Sequence, residues 1–161
     1  MKTFSVLLVI DLQKGFITPE TSRVAAAVDA AQRDFDVVVA ARFTNPPNSP
    51  FRRLVGWQEM GPGTAGLDLA FTPRRDAIVI EKTGYTAMQP ELLAILRRCG
   101  VRDVHIAGLE TDACVLKTAL DLFENGYRPI IHRDLCGATR PGAHEAALDL
   151  LSHLIGKNQI V

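Results

Sequence analysis

The chain has no excess charge of either sign: Lys+Arg and Asp+Glu number 18 each among 161 residues. With no global field, neither nucleic acid nor an anionic membrane surface is expected as a partner. The paired arginines Arg52-Arg53, Arg74-Arg75 and Arg97-Arg98 are scattered and read as solvated surface. The longest apolar runs are of strand length, too short for a membrane-spanning helix. Cysteine is scarce and odd in number, three in all. The chain also opens on a strand-like segment where a secreted protein would carry a charged leader and cleavage site, so free thiols in a reducing cytoplasm are expected. His105, His132, His144 and His153 are dispersed and form no metal-ligand spacing, so no metal is expected. No glycine-rich phosphate turn follows the first apolar run, where Asp11-Leu12-Gln13-Lys14 stands instead; this argues against nucleotide or flavin, and no cofactor is expected.

What is present is a regular alternation. Phe4–Ile10 is nearly continuous Val, Leu and Ile, the signature of a strand buried on both faces of a parallel sheet. Asp36–Phe43, Ala77–Glu81, Arg102–Ala107 and Tyr127–His132 repeat it, and Gln159–Val161 is a candidate for a short last strand. Between them Thr21–Arg33, Gln89–Cys99, Asp112–Glu124 and Pro141–Leu154 carry apolar residues at helical spacing, with Gly100 and Gly126 placed as stops. Residues 1–161 thus read as one α/β domain, large enough to bury roughly 70% of the surface of its unfolded chain. The exception is Thr44–Thr72, rich in proline and glycine, which reads as an irregular connection covering a site or a partner surface. Trp57 and Met60 are its candidate lid or interface groups.

In a doubly wound sheet, ligands bind beyond the carboxyl ends of the strands, where strand order reverses. Asp11 follows the first strand, Lys82 the third, and Cys114 the fourth, so three groups distant in sequence are brought to one edge. Cys114 lies in the first turn of a predicted helix. There the unpaired N–H groups and the macrodipole favour thiolate, lowering a thiol pKa from about 8.5 toward roughly 3.5–7.5 in favourable cases. A thiolate is a hydrolase nucleophile. Thr111 and Asp112 are expected to cap that helix. Cys99 reads as a packed thiol, and Cys136, after the fifth strand, is a candidate pocket-lining group.

The blocks Val9-Ile10-Asp11-Leu12-Gln13-Lys14-Gly15-Phe16, Glu81-Lys82-Thr83-Gly84-Tyr85-Thr86-Ala87 and Gly108-Leu109-Glu110-Thr111-Asp112-Ala113-Cys114-Val115 resemble, in order and setting, the isochorismatase-like cysteine hydrolases, which include nicotinamidases and N-carbamoylsarcosine amidases. The resemblance implies a three-layer αβα fold with a mostly parallel sheet in the order 3-2-1-4-5-6. It also implies a triad of Asp11, Lys82 and Cys114, an oxyanion hole from the backbone N–H groups of Glu110 and Cys114, and a non-proline cis peptide between Leu109 and Glu110. Gln13, Phe16, Asn45 and Tyr85 are the candidate substrate-binding residues. A homodimer or homotetramer is implied as well, with the Trp57 loop helping to close a neighbour's pocket.

The chain departs from the family in several places. Metal-dependent nicotinamidases carry an Asp-x-His pair and a further His after the second strand, where this chain reads Arg42-Phe43-Thr44-Asn45-Pro46-Pro47-Asn48-Ser49. True isochorismatases do without the thiol. Glu110 stands where a small or apolar residue is usual; it either faces the pocket, favouring an amino or cationic substrate, or is tied up in a salt bridge. Met88 stands where an aromatic is common. The expected activity is metal-free hydrolysis of a small carboxamide or ureido substrate through a thioester. The alternative is a catalytically silent or thiol-sensing module on the same fold, its pocket occluded by Glu110 or the proline-rich loop.

Overall fold

The computed structural model describes residues 4–161. Five strands, β1 (Val6–Ile10), β2 (Val37–Phe43), β3 (Ile78–Lys82), β4 (Asp103–Leu109) and β5 (Arg128–Gly137), pair in parallel in the order β3-β2-β1-β4-β5. Helix α1 (Ser22–Ala31) links β1 to β2, α2 (Pro90–Cys99) leads into β4, α3 (Leu116–Glu124) links β4 to β5, and α4 (Ala143–Ile155) follows β5.

The central strand β1 is buried throughout, and its alternation divides the core into two layers. Val6, Leu8 and Ile10 pack with Leu92 and Leu96 of α2, Ala119 and Leu122 of α3, and Leu148 and Leu151 of α4. Leu7 and Val9 pack on the other face with Val24 and Val28 of α1. This is the three-layer architecture the resemblance implies, and it explains why the strand is apolar at every position and not at every second one. Proline at the start of α2 and the left-handed Gly100 (φ 64°) at its end delimit that helix as its sequence requires.

Two elements differ from expectation. The expected sixth strand is a single parallel bridge between Ile131 and Ile160, with Val161 N donating to Ile131 O at 2.9 Å and Arg133 N to Val161 O at 2.8 Å. Lys157–Gln159 is instead a 3₁₀ turn, whose bonds leave only the last two residues free to pair. Strand β5 continues to Gly137, past Arg133 and Asp134, whose charges conceal it. A register shift between Ile106 and Gly108 lets Gly108 pair with Cys136.

Gly108 is required at that place. Its φ is +114°, and a Cβ there would lie 2.0 Å from Ile10 O, so glycine alone lets β4 approach the residue from which Asp11 leaves β1.

The segment between β2 and β3 is irregular, as expected, but well anchored. Lys14 N donates to Asp68 O and Ala70 N to Leu12 O, both at 2.8 Å, and Phe51 and Met60 pack with Phe43 in a small core of their own.

Candidate active site

The order of strands reverses at β1, with β2 and β3 on one side and β4 and β5 on the other. A crevice therefore opens at the carboxyl ends of β1 and β4. Asp11 leaves β1 in a left-handed conformation (φ 47°), rare for a residue with a Cβ. Its backbone N donates to Ala41 O at 3.0 Å, and its side chain is buried.

Lys82 ends β3, at the edge of the sheet, and must reach across β2. Its Nζ lies over the ring of Phe43, its register partner, 5.1 Å from the centroid. Nζ lies 2.7 Å from Asp11 Oδ2 and donates to Gly84 O at 2.7 Å and Tyr85 O at 3.1 Å. It stands 3.5 Å from Cys114 Sγ. One buried ammonium thus holds the carboxylate and the sulfur in a single cluster, while Asp11 Oδ1 has no hydrogen-bond partner.

Cys114 sits on a wide π-helical turn, Thr111–Val115, between β4 and α3. Ala113 N and Val115 N both donate to Glu110 O at 3.1 Å. The expected caps do not form: Thr111 Oγ1 hydrogen-bonds His144 Nδ1 at 2.8 Å, and Asp112 pairs with Arg140 at 3.0 Å. Both interactions tie the turn to the chain around α4. The peptide between Leu109 and Glu110 is cis.

The electrostatics correct one expectation. The Cys114 thiol is pushed well up, not down: burial is the largest cause, the Asp11 charge adds to it, and Lys82 opposes it. Burial also pushes Asp11 up, to about 6, against the pull of Lys82 and of the Cys114 thiol. Cys114, only 8% exposed and set beside a carboxylate, gains less from a turn's dipole than its thiolate loses by leaving water. The resting pair is a thiol and a carboxylate, which suits Asp11 to take the thiol proton.

Asp11, Glu110 and Cys114 line a cavity of about 80 Å³ walled by Phe16, Phe43, Phe51, Trp57 and Tyr85. Trp57 stacks on Phe43 at 5.9 Å and on Phe16 at 6.1 Å between ring centroids, and Phe51 meets Tyr85 edge-on at 5.0 Å. The Trp57 loop therefore covers the cavity of its own chain, where these rings draw it onto Phe43.

Phe43 and Phe51 were not among the sequence candidates. Phe43 ends β2 at the same sheet edge as Asp11 and Lys82, so the rule that selected those two also points to it; Phe51 carries no comparable signal.

Of the other candidates, Phe16 and Tyr85 reach the cavity and two do not. Gln13 is buried, with Nε2 donating to Phe43 O at 2.9 Å and Leu67 O at 3.1 Å and Oε1 accepting from Phe43 N at 2.8 Å. Asn45 Nδ2 donates to Trp57 O at 3.0 Å and Glu59 O at 2.8 Å, and its Oδ1 accepts from Ser49 Oγ. Both amides are spent on the end of β2 and the loop after it.

Cys136 is fully buried in the core, with Sγ 3.7 Å from Ile106 O. The histidines are less dispersed than expected: His105 Nδ1 and His132 Nε2 are 2.8 Å apart, beside Phe35. Glu110 is in no salt bridge among the described residues. Its Oε2 accepts from Thr139 N at 2.6 Å, and its Oε1 is buried without a partner.

Residues 5–158 match the Isochorismatase domain family. The chain belongs to that family. It is 29% identical over 164 residues to the maleamate amidohydrolase of Pseudomonas putida, covering 88% of this chain and 76% of that one. It is 35% identical over 78 residues to an uncharacterized isochorismatase family protein of Bacillus subtilis, where the match spans 48% of this chain and 43% of the relative. Among solved structures, the N-carbamoylsarcosine amidase of Thermoplasma acidophilum superposes with a TM-score of 0.82 at 27% identity, covering 95% of this chain and 93% of that one. A pyrazinamidase of Pyrococcus horikoshii in complex with zinc gives 0.81 at 28% identity, covering 98% of each.

Zinc takes imidazole, thiolate or carboxylate ligands. The stretch after β2 offers Thr44, Asn45, Asn48 and Ser49, and the Asn45 amide is already committed to backbone. Among the described residues, no three His, Cys, Asp or Glu side chains gather as a metal site. The donor set does not fit a zinc ion.

Proposed function

We propose that this isochorismatase-family chain is a metal-free cysteine amidohydrolase acting on a small carboxamide or ureido compound through a thioester on Cys114. The observation that carries the reading is the meeting of Asp11 Oδ2, Lys82 Nζ and Cys114 Sγ within 2.7 and 3.5 Å of one another across the shared nitrogen. Three separate strand ends supply these groups and all are buried; Asp11 and Cys114 line a cavity large enough only for a small acyl group.

The steps follow from the charges. Asp11 accepts the Cys114 proton as sulfur attacks the carbonyl carbon, and Lys82 keeps the carboxylate in place. Negative charge moves onto the carbonyl oxygen, where the backbone N–H groups of Glu110 and Cys114 stabilise it. The carbon–nitrogen bond breaks as Asp11 returns the proton to the leaving amine. Water, deprotonated by Asp11, then attacks the thioester carbon; the acid departs and the thiol is restored. Phe16, Tyr85 and Trp57 hold the acyl group and exclude bulk water.

A panel of small primary amides and N-carbamoyl compounds tests the reading. Release of ammonia is expected from the wild type, undiminished by dialysis against EDTA and absent from Cys114→Ala and Asp11→Asn. Ammonia release at the wild-type rate by either variant, or its loss with EDTA and recovery with zinc, contradicts it.

A further inference from the structure

The cavity walls are aromatic, and its polar groups are few. Asp11 and Lys82 balance each other's charge at 2.7 Å. Glu110 has no such counterpart among the described residues, although it lines the same cavity. One of its oxygens takes the Thr139 N–H at 2.6 Å, which fixes the carboxyl group in place. The other is removed from solvent with nothing donating to it. Burial is the main influence raising its pKa; the Thr139 hydrogen bonds oppose this, and the negative charges of Asp112 and Asp11 add to it.

A buried acceptor without a donor is costly and rare in folded proteins. A fixed carboxylate among aromatic faces is an arrangement suited to a small organic cation or amine, since the ring faces and the carboxylate both attract positive charge.

We propose that Glu110 is a specificity residue: the amide hydrolysed here carries an amino or ammonium group on its acyl part, and that group donates to Glu110 Oε1. The proposal rests on the hydrolase reading for the reaction but not for the binding. It gives the site a selectivity set by one side chain. The donor nitrogen completes the hydrogen bonding of Glu110 and brings the site's charge to zero, while the scissile carbonyl lies at Cys114. A neutral acyl group of the same size leaves Glu110 unpaired, and the site rejects it as it would an analogue lacking a required hydrogen-bond donor. In Glu110→Gln the carboxamide retains an acceptor for Thr139 but loses the charge.

Glycinamide and propionamide have the same number of heavy atoms and differ by ammonium against methyl. The experiment measures how each protects Cys114 of the intact protein from alkylation by iodoacetamide, read by peptide mass spectrometry, in the wild type and in Glu110→Gln. Glycinamide is expected to protect the wild type at a concentration about tenfold or more below propionamide, by analogy with charge-assisted hydrogen bonding. In Glu110→Gln the two are expected to protect within about threefold of each other. Equal protection in the wild type, protection by neither compound, or an unchanged ratio in the variant overturns the proposal. Ammonia release from both amides, followed in parallel, reports on the hydrolase reading separately: selective protection without turnover keeps the specificity assignment and removes the catalytic one.

Discussion

Two sets of buried polar side chains flank the same cavity and have opposite fates. Gln13 and Asn45 spend their amides on the end of β2 and the loop that follows it. Asp11 and Glu110, at the ends of β1 and β4, each retain a buried oxygen with no partner. Burial does not separate Asp11 from the two amides, all three being fully buried. Satisfaction does: a fully bonded amide is scaffold, and a buried carboxylate left short of donors is held ready for a proton or a ligand.

The contrast is tested most severely where loss of chemistry should leave the fold intact. Cys114→Ala is expected to abolish amide hydrolysis, by about 10⁴-fold or more, with a melting temperature near that of the wild type. Asp11→Asn should follow at roughly 10²–10⁴-fold. Because Asp11 must be ionised to act as base and its pKa is raised to about 6, wild-type kcat/KM should climb through about pH 6 and then level. Asp11→Asn should lose that limb, and a wild-type profile flat between pH 5 and 7 would break the assignment.

The amides should behave in the opposite sense. Gln13→Leu leaves the Phe43 N–H and two carbonyls unpaired and should cost about 1–3 kcal/mol for each group that water does not reach. Chemical denaturation reads that loss; any residual folded enzyme should turn over at close to the wild-type kcat. Gly108→Ala joins the two regions. Its Cβ would meet Ile10 O at 2.0 Å, so about 1–3 kcal/mol of stability should be lost through overpacking, together with activity as Asp11 shifts.

The smallest effect concerns the half-buried histidine pair. Burial first, and His105 second, lower His132 to about 4, so the folded protein binds fewer protons there than the unfolded chain between about pH 4 and 6.5. The pair therefore lowers stability as pH falls through that window. Asp11, with its raised pKa, acts in the opposite direction between about pH 4 and 6. The difference in melting temperature between wild type and His132→Gln isolates the histidine contribution and should change by a few degrees from pH 7 to 5.

Where apolar pattern decides the structure, the sequence was readable. Strands β1 to β4 and all four helices lie within a few residues of the segments that their periodicity marks, and the Asp11, Lys82 and Cys114 placement follows from the strand ends. The remainder depends on contacts distant in sequence. The continuation of β5 past Arg133 and Asp134 comes from the register shift opposite Gly108. The Gln13 and Asn45 roles were set by carbonyls 12 to 54 residues away. The thiol pKa runs against expectation because a helix terminus is legible in sequence, whereas the burial of Cys114, the largest cause of the rise, is set by the fold.

The most direct test is the mass of the protein itself. After rapid acid quenching of a reaction with an amide that the wild type hydrolyses, intact and peptide mass spectrometry should show one acyl group on the Cys114 peptide, absent from Cys114→Ala and strongly reduced in Asp11→Asn. An acyl group on another residue, or ammonia release by Cys114→Ala at the wild-type rate, would contradict the account.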